Sequence, residues 1–211
     1  MSPTIRHALW CAALMAGIGL AAPASAADKA PAKDPGKPAA GQPSQQEMMA
    51  AMMKMAAPGP EHAALNPLAG SWKTVTKMWN SPTGEPVTSE GTCERSWIMG
   101  GRYLVANYKG DFAGMAFEGM EVLGYDNMKK QYVSSWVDNM GTGIMMTQGP
   151  SMDPATHSYT LSGTMLGPSG QETTAREVTN IVDGNTYTMT MYASDHGQEQ
   201  KMMEITYSRA K

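Results

Sequence analysis

Residues 71–79 read SWKTVTKMW. Trp72, Thr74, Thr76 and Met78 fall on one side of an extended chain, and Lys73, Val75 and Lys77 on the other. Successive side chains of a strand point to opposite faces, so this alternation predicts a half-buried β-strand. Working outward, the same texture recurs in VTSEGTCERSWIM (87–99), RYLVANYKG (102–110), MAFEGMEVLGY (115–125) and QYVSSWVD (131–138). It continues in TGIMMTQG (142–149), HSYTLSGTM (157–165), ETTAREVTNIV (172–182), TYTMTMYAS (186–194) and QEQKMMEITYSR (198–209). Between them lie separators such as GG, DNMKK, SMDPATH, GPSG and DGN, residues whose side chains and backbone freedom suit turns. No stretch after Pro67 carries the period of a long helix. About ten antiparallel strands in sequential order predict an all-β, up-and-down barrel, with a β-sandwich as the rival architecture. Closure removes exposed strand edges. A barrel of this size is either filled by its own side chains or holds one small ligand.

The 211-residue chain opens with a segment of a different kind. Residues 1–26 combine basic Arg6 and His7, an apolar run from Ala8 to Ala22 and the cleavage pattern Ala24-Ser25-Ala26. That is the grammar of a secretory signal, so the protein is expected to be exported, periplasmic or secreted, in a bacterium. Removing the signal takes Arg6 and no acid, which leaves 15 basic against 19 acidic residues, net −4. This balance argues against a nucleic-acid partner. It also leaves Cys93 as the one cysteine, so the domain must fold on its core rather than on disulfides. Residues 27–46, rich in Ala, Pro, Lys and Gly, read as a flexible leash.

Residues 47–57 then form a methionine-rich short helix before the barrel domain, which spans 61–211. Ser44 and Glu47 fit a capping box. Met48, Met52 and Met55 fall at i, i+4 and i+7, with Met49 and Met53 beside them. Pro58-Gly59-Pro60 stops the helix. So short a helix is marginal alone, and docking of its Met face on the barrel is the expected support. The five thioethers suit Cu(I). Methionine is abundant throughout, however, with 21 against two phenylalanines, and no His or Cys joins the cluster. Copper is therefore set aside. The polar face lacks the basic and aromatic residues of an interfacial helix, so no stable membrane insertion is expected after signal removal.

LNPLAGSWK, with Gly70-Ser71-Trp72 opening the first strand, resembles the G-x-W start of lipocalin-like and nitrobindin-like barrels. Three further stretches, 117–143, 174–181 and 203–209, resemble the bacterial family called domain of unknown function 1579, over roughly Glu61 to Lys211. The resemblance implies a lipocalin-like, often exported barrel and names no reaction. Nitrobindins hold haem through a histidine near the chain end, whereas here the last strand, KMMEITYSR, has none. His62 precedes the barrel, and His157 and His196 fall in turns. Haem is set aside on that ligand chemistry, so no cofactor is predicted.

Clustered zinc ligands, a G-x-S-x-G elbow, a P-loop and a dinucleotide fingerprint are all missing from the sequence. Charged residues inside strands are the more informative feature. Alternation forces one of Glu94 and Arg95 inward, where it needs a partner such as Glu121 or Arg176. Trp136 and Asp138 end a strand before a glycine-flexed turn, at an expected barrel mouth. The candidate ligand-binding set is Trp72, Glu94, Tyr103, Glu121, Trp136, Asp138 and Arg176. The only metal alternative is Met48, Met49, Met52, Met53 and Met55. Three function classes follow: a barrel binding a small, largely apolar molecule; a filled barrel serving as a non-catalytic envelope interaction module; and an enzyme using inward carboxylates. No spacing in the chain demands catalysis.

Overall fold

The computed structural model describes residues 43–81, 83–166, 170–195 and 198–211. The signal and most of the leash lie outside the described residues, as does His196. Ten strands form one sheet: β1 (Gly70–Met78), β2 (Val87–Ile98), β3 (Tyr103–Phe112), β4 (Met115–Asp126), β5 (Gln131–Asp138), β6 (Met145–Gly149), β7 (Ser158–Leu166), β8 (Glu172–Ile181), β9 (Thr186–Asp195) and β10 (Gln198–Arg209). Each pairs antiparallel with its sequence neighbour, and β1 pairs with β10, so the barrel is closed. The up-and-down architecture is the expected one, and the sandwich is excluded.

Alternation decides which side chains enter. On β1, Trp72, Thr74 and Thr76 are buried while Lys73, Val75 and Lys77 are exposed. The same period puts Cys93 and Arg95 of β2, Leu104 and Ala106 of β3, and Leu123 and Tyr125 of β4 inside. A register shift between Lys201 and Met203 marks a bulge in β10. Beyond it, Met203, Ile205 and Tyr207 share the inner face with Met191, Met189 and Tyr187 opposite them.

One end of the barrel is plugged. A single helical turn, α2 (Pro60–Ala63), and a 3₁₀ turn (Asn66–Leu68) bring His62, Leu65 and Leu68 over the interior, all buried. The Trp72 indole N–H donates to the Leu68 carbonyl at 2.9 Å, and the Tyr132 hydroxyl donates to the Glu61 carbonyl at 2.8 Å. Arg209 closes the seam. Its guanidinium lies 4.2 Å above the Trp72 ring and donates to the carbonyls of Pro67, Ala69 and Gly184. Gly70 sits at φ 124°, and a Cβ there would run into Arg209 Nη1 at 2.5 Å. The glycine of the G-x-W opening therefore makes room for the arginine of the last strand.

The methionine helix, α1, spans Gln45–Met55, so it begins inside the stretch read as leash. Its capping box is present in both directions: Glu47 N–H donates to Ser44 Oγ at 3.2 Å, and Ser44 N–H donates to Glu47 Oε2 at 2.7 Å. The expected docking of its Met face does not occur. No residue of α1 is buried, and all five methionines are exposed. Its attachment is polar and lies at its C-terminal end, where Asn127 Nδ2 donates to the carbonyls of Met55 and Ala57. Asn127 belongs to the β4–β5 turn, so the helix is tied to the plugged end and not to the opposite mouth.

Candidate functional site: a charged band and an unplugged mouth

The two ends of the barrel interior differ. At the plugged end the inward residues Trp72, Leu104, Leu123, Tyr132 and Leu161 are at most 1% exposed, with Trp97 and Ile181 partly exposed at the rim. At the other end Phe117, Trp136, Met189 and Met203 pack on the same core yet stay partly exposed. Inward-facing apolar side chains are thus still accessible at the end without a plug.

Between these ends lies a band of polar groups. Arg95 enters from β2, and its Nη2 meets Glu121 Oε2 at 2.9 Å, with the two side chains 8% and 13% exposed. Glu121 Oε1 accepts from Ser134 Oγ at 2.8 Å. The Arg95 guanidinium carbon stands 5.6 Å from the Tyr187 ring centre and 5.8 Å from that of Tyr207, within cation–π range. Those two rings stack 4.1 Å apart. Arg95 Nε, Arg95 Nη1 and the Tyr187 hydroxyl are buried and make no hydrogen bond.

Glu177 enters from β8 and joins this band. Burial pushes its carboxyl up to about 7, the Glu121 charge adds to the rise, and Arg95 and the Thr147 hydroxyl oppose it. Losing water disfavours the charged carboxylate, and a like charge nearby does the same. Burial likewise raises the hydroxyls of Tyr159, Tyr187 and Tyr207 and the Cys93 thiol. Cys93 is therefore a free, buried thiol held above its ordinary range.

Nearer the mouth, Trp136 lies flat against Phe117, with ring centres 6.3 Å apart and planes 17° from parallel. Its indole N–H donates to Asp138 Oδ2 at 2.7 Å, and Asp138 Oδ1 accepts from Met140 N–H at 2.9 Å. Asp138 thus locks the Trp136 rotamer and the following turn together. Gly119 gives the indole its space, since a Cβ there would overlap Trp136 Cζ2 and Cη2.

The sequence-derived candidates divide accordingly. Glu121, Trp136 and Asp138 meet the interior near its middle and mouth. Trp72 is inside but belongs to the plugged end. Glu94, Tyr103 and Arg176 leave the interior set because alternation puts all three on the outer face. Glu94 accepts from Ser71 Oγ at 2.7 Å outside the barrel. Tyr103 is 41% exposed. Arg176 forms an exposed two-pronged bond with Glu199, 2.6 Å on each arm, and covers the Tyr192 ring. The inward members of the same dipeptides, Arg95 and Glu177, are the groups sequence reasoning did not select. Parity carried the signal: Glu177 is in step with buried Ala175 and Thr179, and Arg176 is not.

Among the described residues no three His, Cys, Asp or Glu side chains gather as a metal site. His62 is spent in the plug, where Nδ1 accepts from Gly59 N–H at 3.1 Å and burial lowers its pKa.

A solved structure similar to this chain is that of Rv2717c from M. tuberculosis, with TM-score 0.55 and 16% identity over 74% of this chain and 100% of that one. A redesigned β-barrel, b11L5F_LGL, is similar at TM-score 0.37 and 12% identity, covering 70% and 96% of the two chains. At this identity the first likeness shows the fold alone. No curated protein matches the chain. The family model "Protein of unknown function (DUF1579)" matches residues 57–209, and the chain belongs to that family.

Proposed function

We propose that this protein is an exported barrel that binds a small, largely apolar molecule, admitted through the end opposite the plug. The observation that carries the reading is the contrast between the two ends. Inward Phe117, Trp136, Met189 and Met203 at the unplugged end stay partly exposed, whereas helical turns cover the core at the other end and leave only Trp97, Met152 and Ile181 partly exposed at its rim. An apolar lining with a few placed polar groups is the usual character of a small-molecule site. Methionine suits it, since an unbranched, polarizable side chain adapts to different ligand shapes. The outer wall favours an aqueous setting, because Lys73, Lys77, Glu90 and Glu94 stand where a membrane barrel carries its apolar band.

Titration with the neutral fluorophore N-phenyl-1-naphthylamine tests this. Saturable enhancement of its emission, with quenching of tryptophan emission, is the expected result. Substituting Ala193→Trp at the mouth, on the inner face of β9, should weaken binding at least roughly tenfold by filling apolar volume. A probe that shows no saturable binding to the natural chain would count against the reading and favour a filled interaction module.

A further inference from the structure

Resting on the proposed binding barrel, we infer that its ligand is an apolar chain ending in a carboxylate, anchored in mid-barrel by the spare donors of Arg95 and by the Tyr187 hydroxyl. The band leaves buried donors unsatisfied. Glu121 occupies only Nη2 of Arg95. Arg95 Nε and Nη1 and the Tyr187 hydroxyl are buried without a hydrogen bond, in a side chain 8% exposed and a residue 1% exposed. Buried donors of this kind are costly, and native structures supply them with acceptors. Three unsatisfied donors in one band call for an acceptor with several lone pairs. A carboxylate offers about four such sites, whereas an alcohol or ketone offers about two.

Charge narrows the class further. Arg95 is the one cation of the band, and Glu121 already faces it. A dianionic phosphate would set two more negative charges beside Glu121 and Glu177. A single negative charge is tolerable, because Glu177 holds its proton more firmly than an ordinary glutamate and Arg95 keeps its charge. The chain of the ligand would then run from this band toward Phe117, Trp136, Met189 and Met203. The groups facing the headgroup are Arg95, Glu121, Glu177, Tyr159, Tyr187, Tyr207 and Cys93. Among them, burial lifts the Glu177 carboxyl to about 7.

Displacement of N-phenyl-1-naphthylamine by dodecanoate and by dodecanol tests the assignment on the natural chain. A carboxylate gains charge-assisted bonds that an alcohol cannot, so dodecanoate should displace the probe at concentrations at least about tenfold lower. That preference should shrink in Tyr187→Phe, which removes a hydroxyl without a partner and so spares the fold. It should vanish when Arg95→Met and Glu121→Met are combined, a change that removes cation and anion together. Dodecanoate affinity should weaken as pH rises through about 7, where Glu177 ionises, while probe affinity stays level. Equal displacement by the two compounds, or a preference unchanged in both variants, would overturn the headgroup assignment and leave apolar binding standing. Failure of the probe and of dodecanoate alike would overturn both.

Discussion

Glu177 places a pH-dependent stability penalty inside the barrel. An unfolded glutamate releases its proton near 4.5, and the folded one near about 7. Between those values the folded state holds the extra proton, so this group's contribution to stability falls as pH rises. Glu177→Gln removes the ionisation, and it should raise stability at pH 8 by about 2–3 kcal/mol and leave it little changed below the lower value. Urea unfolding at the two pH values measures the difference. A second test concerns the ion pair. Arg95→Met alone strands Glu121 and should cost about 3–5 kcal/mol, whereas the joint change with Glu121→Met should recover most of it. A double-mutant cycle by chemical denaturation reads both. This scale is where the sequence was least legible. Glu94-Arg95 and Arg176-Glu177 each put one charge in and one out, and a single-residue choice of parity decides the chemistry. Partnering across strands, such as Arg95 to Glu121, depends on barrel shear that local pattern does not contain.

The strands themselves were plain in the chain because period-two alternation, Thr and Tyr content and turn residues agree from Gly70 to Arg209. Trp136, Asp138 and Gly119 illustrate the packing that pattern alone does not fix. Gly119 reads as a weak strand residue, yet it exists to admit the indole held by Asp138. Gly119→Ala should push Trp136 from its place, cost about 1–3 kcal/mol and shift tryptophan emission, as overpacking does. The methionine helix is the opposite case. Its capping box was readable residue by residue, but the inference that an apolar stripe must be buried failed. The helix is held at its start by Ser44 and Glu47 and at its end by Asn127. Replacing Met48, Met49, Met52, Met53 and Met55 by glutamine should therefore move barrel stability by less than about 0.5 kcal/mol, the usual range for exposed substitutions. Thermal unfolding checks this, and a loss of several kcal/mol would mean that the helix contributes to the core after all.

For the whole molecule, a closed sheet with one plugged end gives direction to an otherwise symmetric tube. The plug follows from local chemistry: Pro60 and Pro67 shape the turns, Gly70 yields space, and Arg209 ties the last strand to the first. The other end carries no such turns, and adaptable thioethers and two aromatic rings stay partly exposed there above a charged band. The central claim is that this interior receives a ligand. Methyl NMR of the protein labelled at methionine tests it most directly, because Met189, Met191 and Met203 line the interior while the methionines of α1 face solvent. On addition of dodecanoate the account predicts saturable shifts of the three interior methyls, with those of Met48, Met49, Met52, Met53 and Met55 unmoved. Shifts confined to α1, or none at saturating concentration, would contradict it.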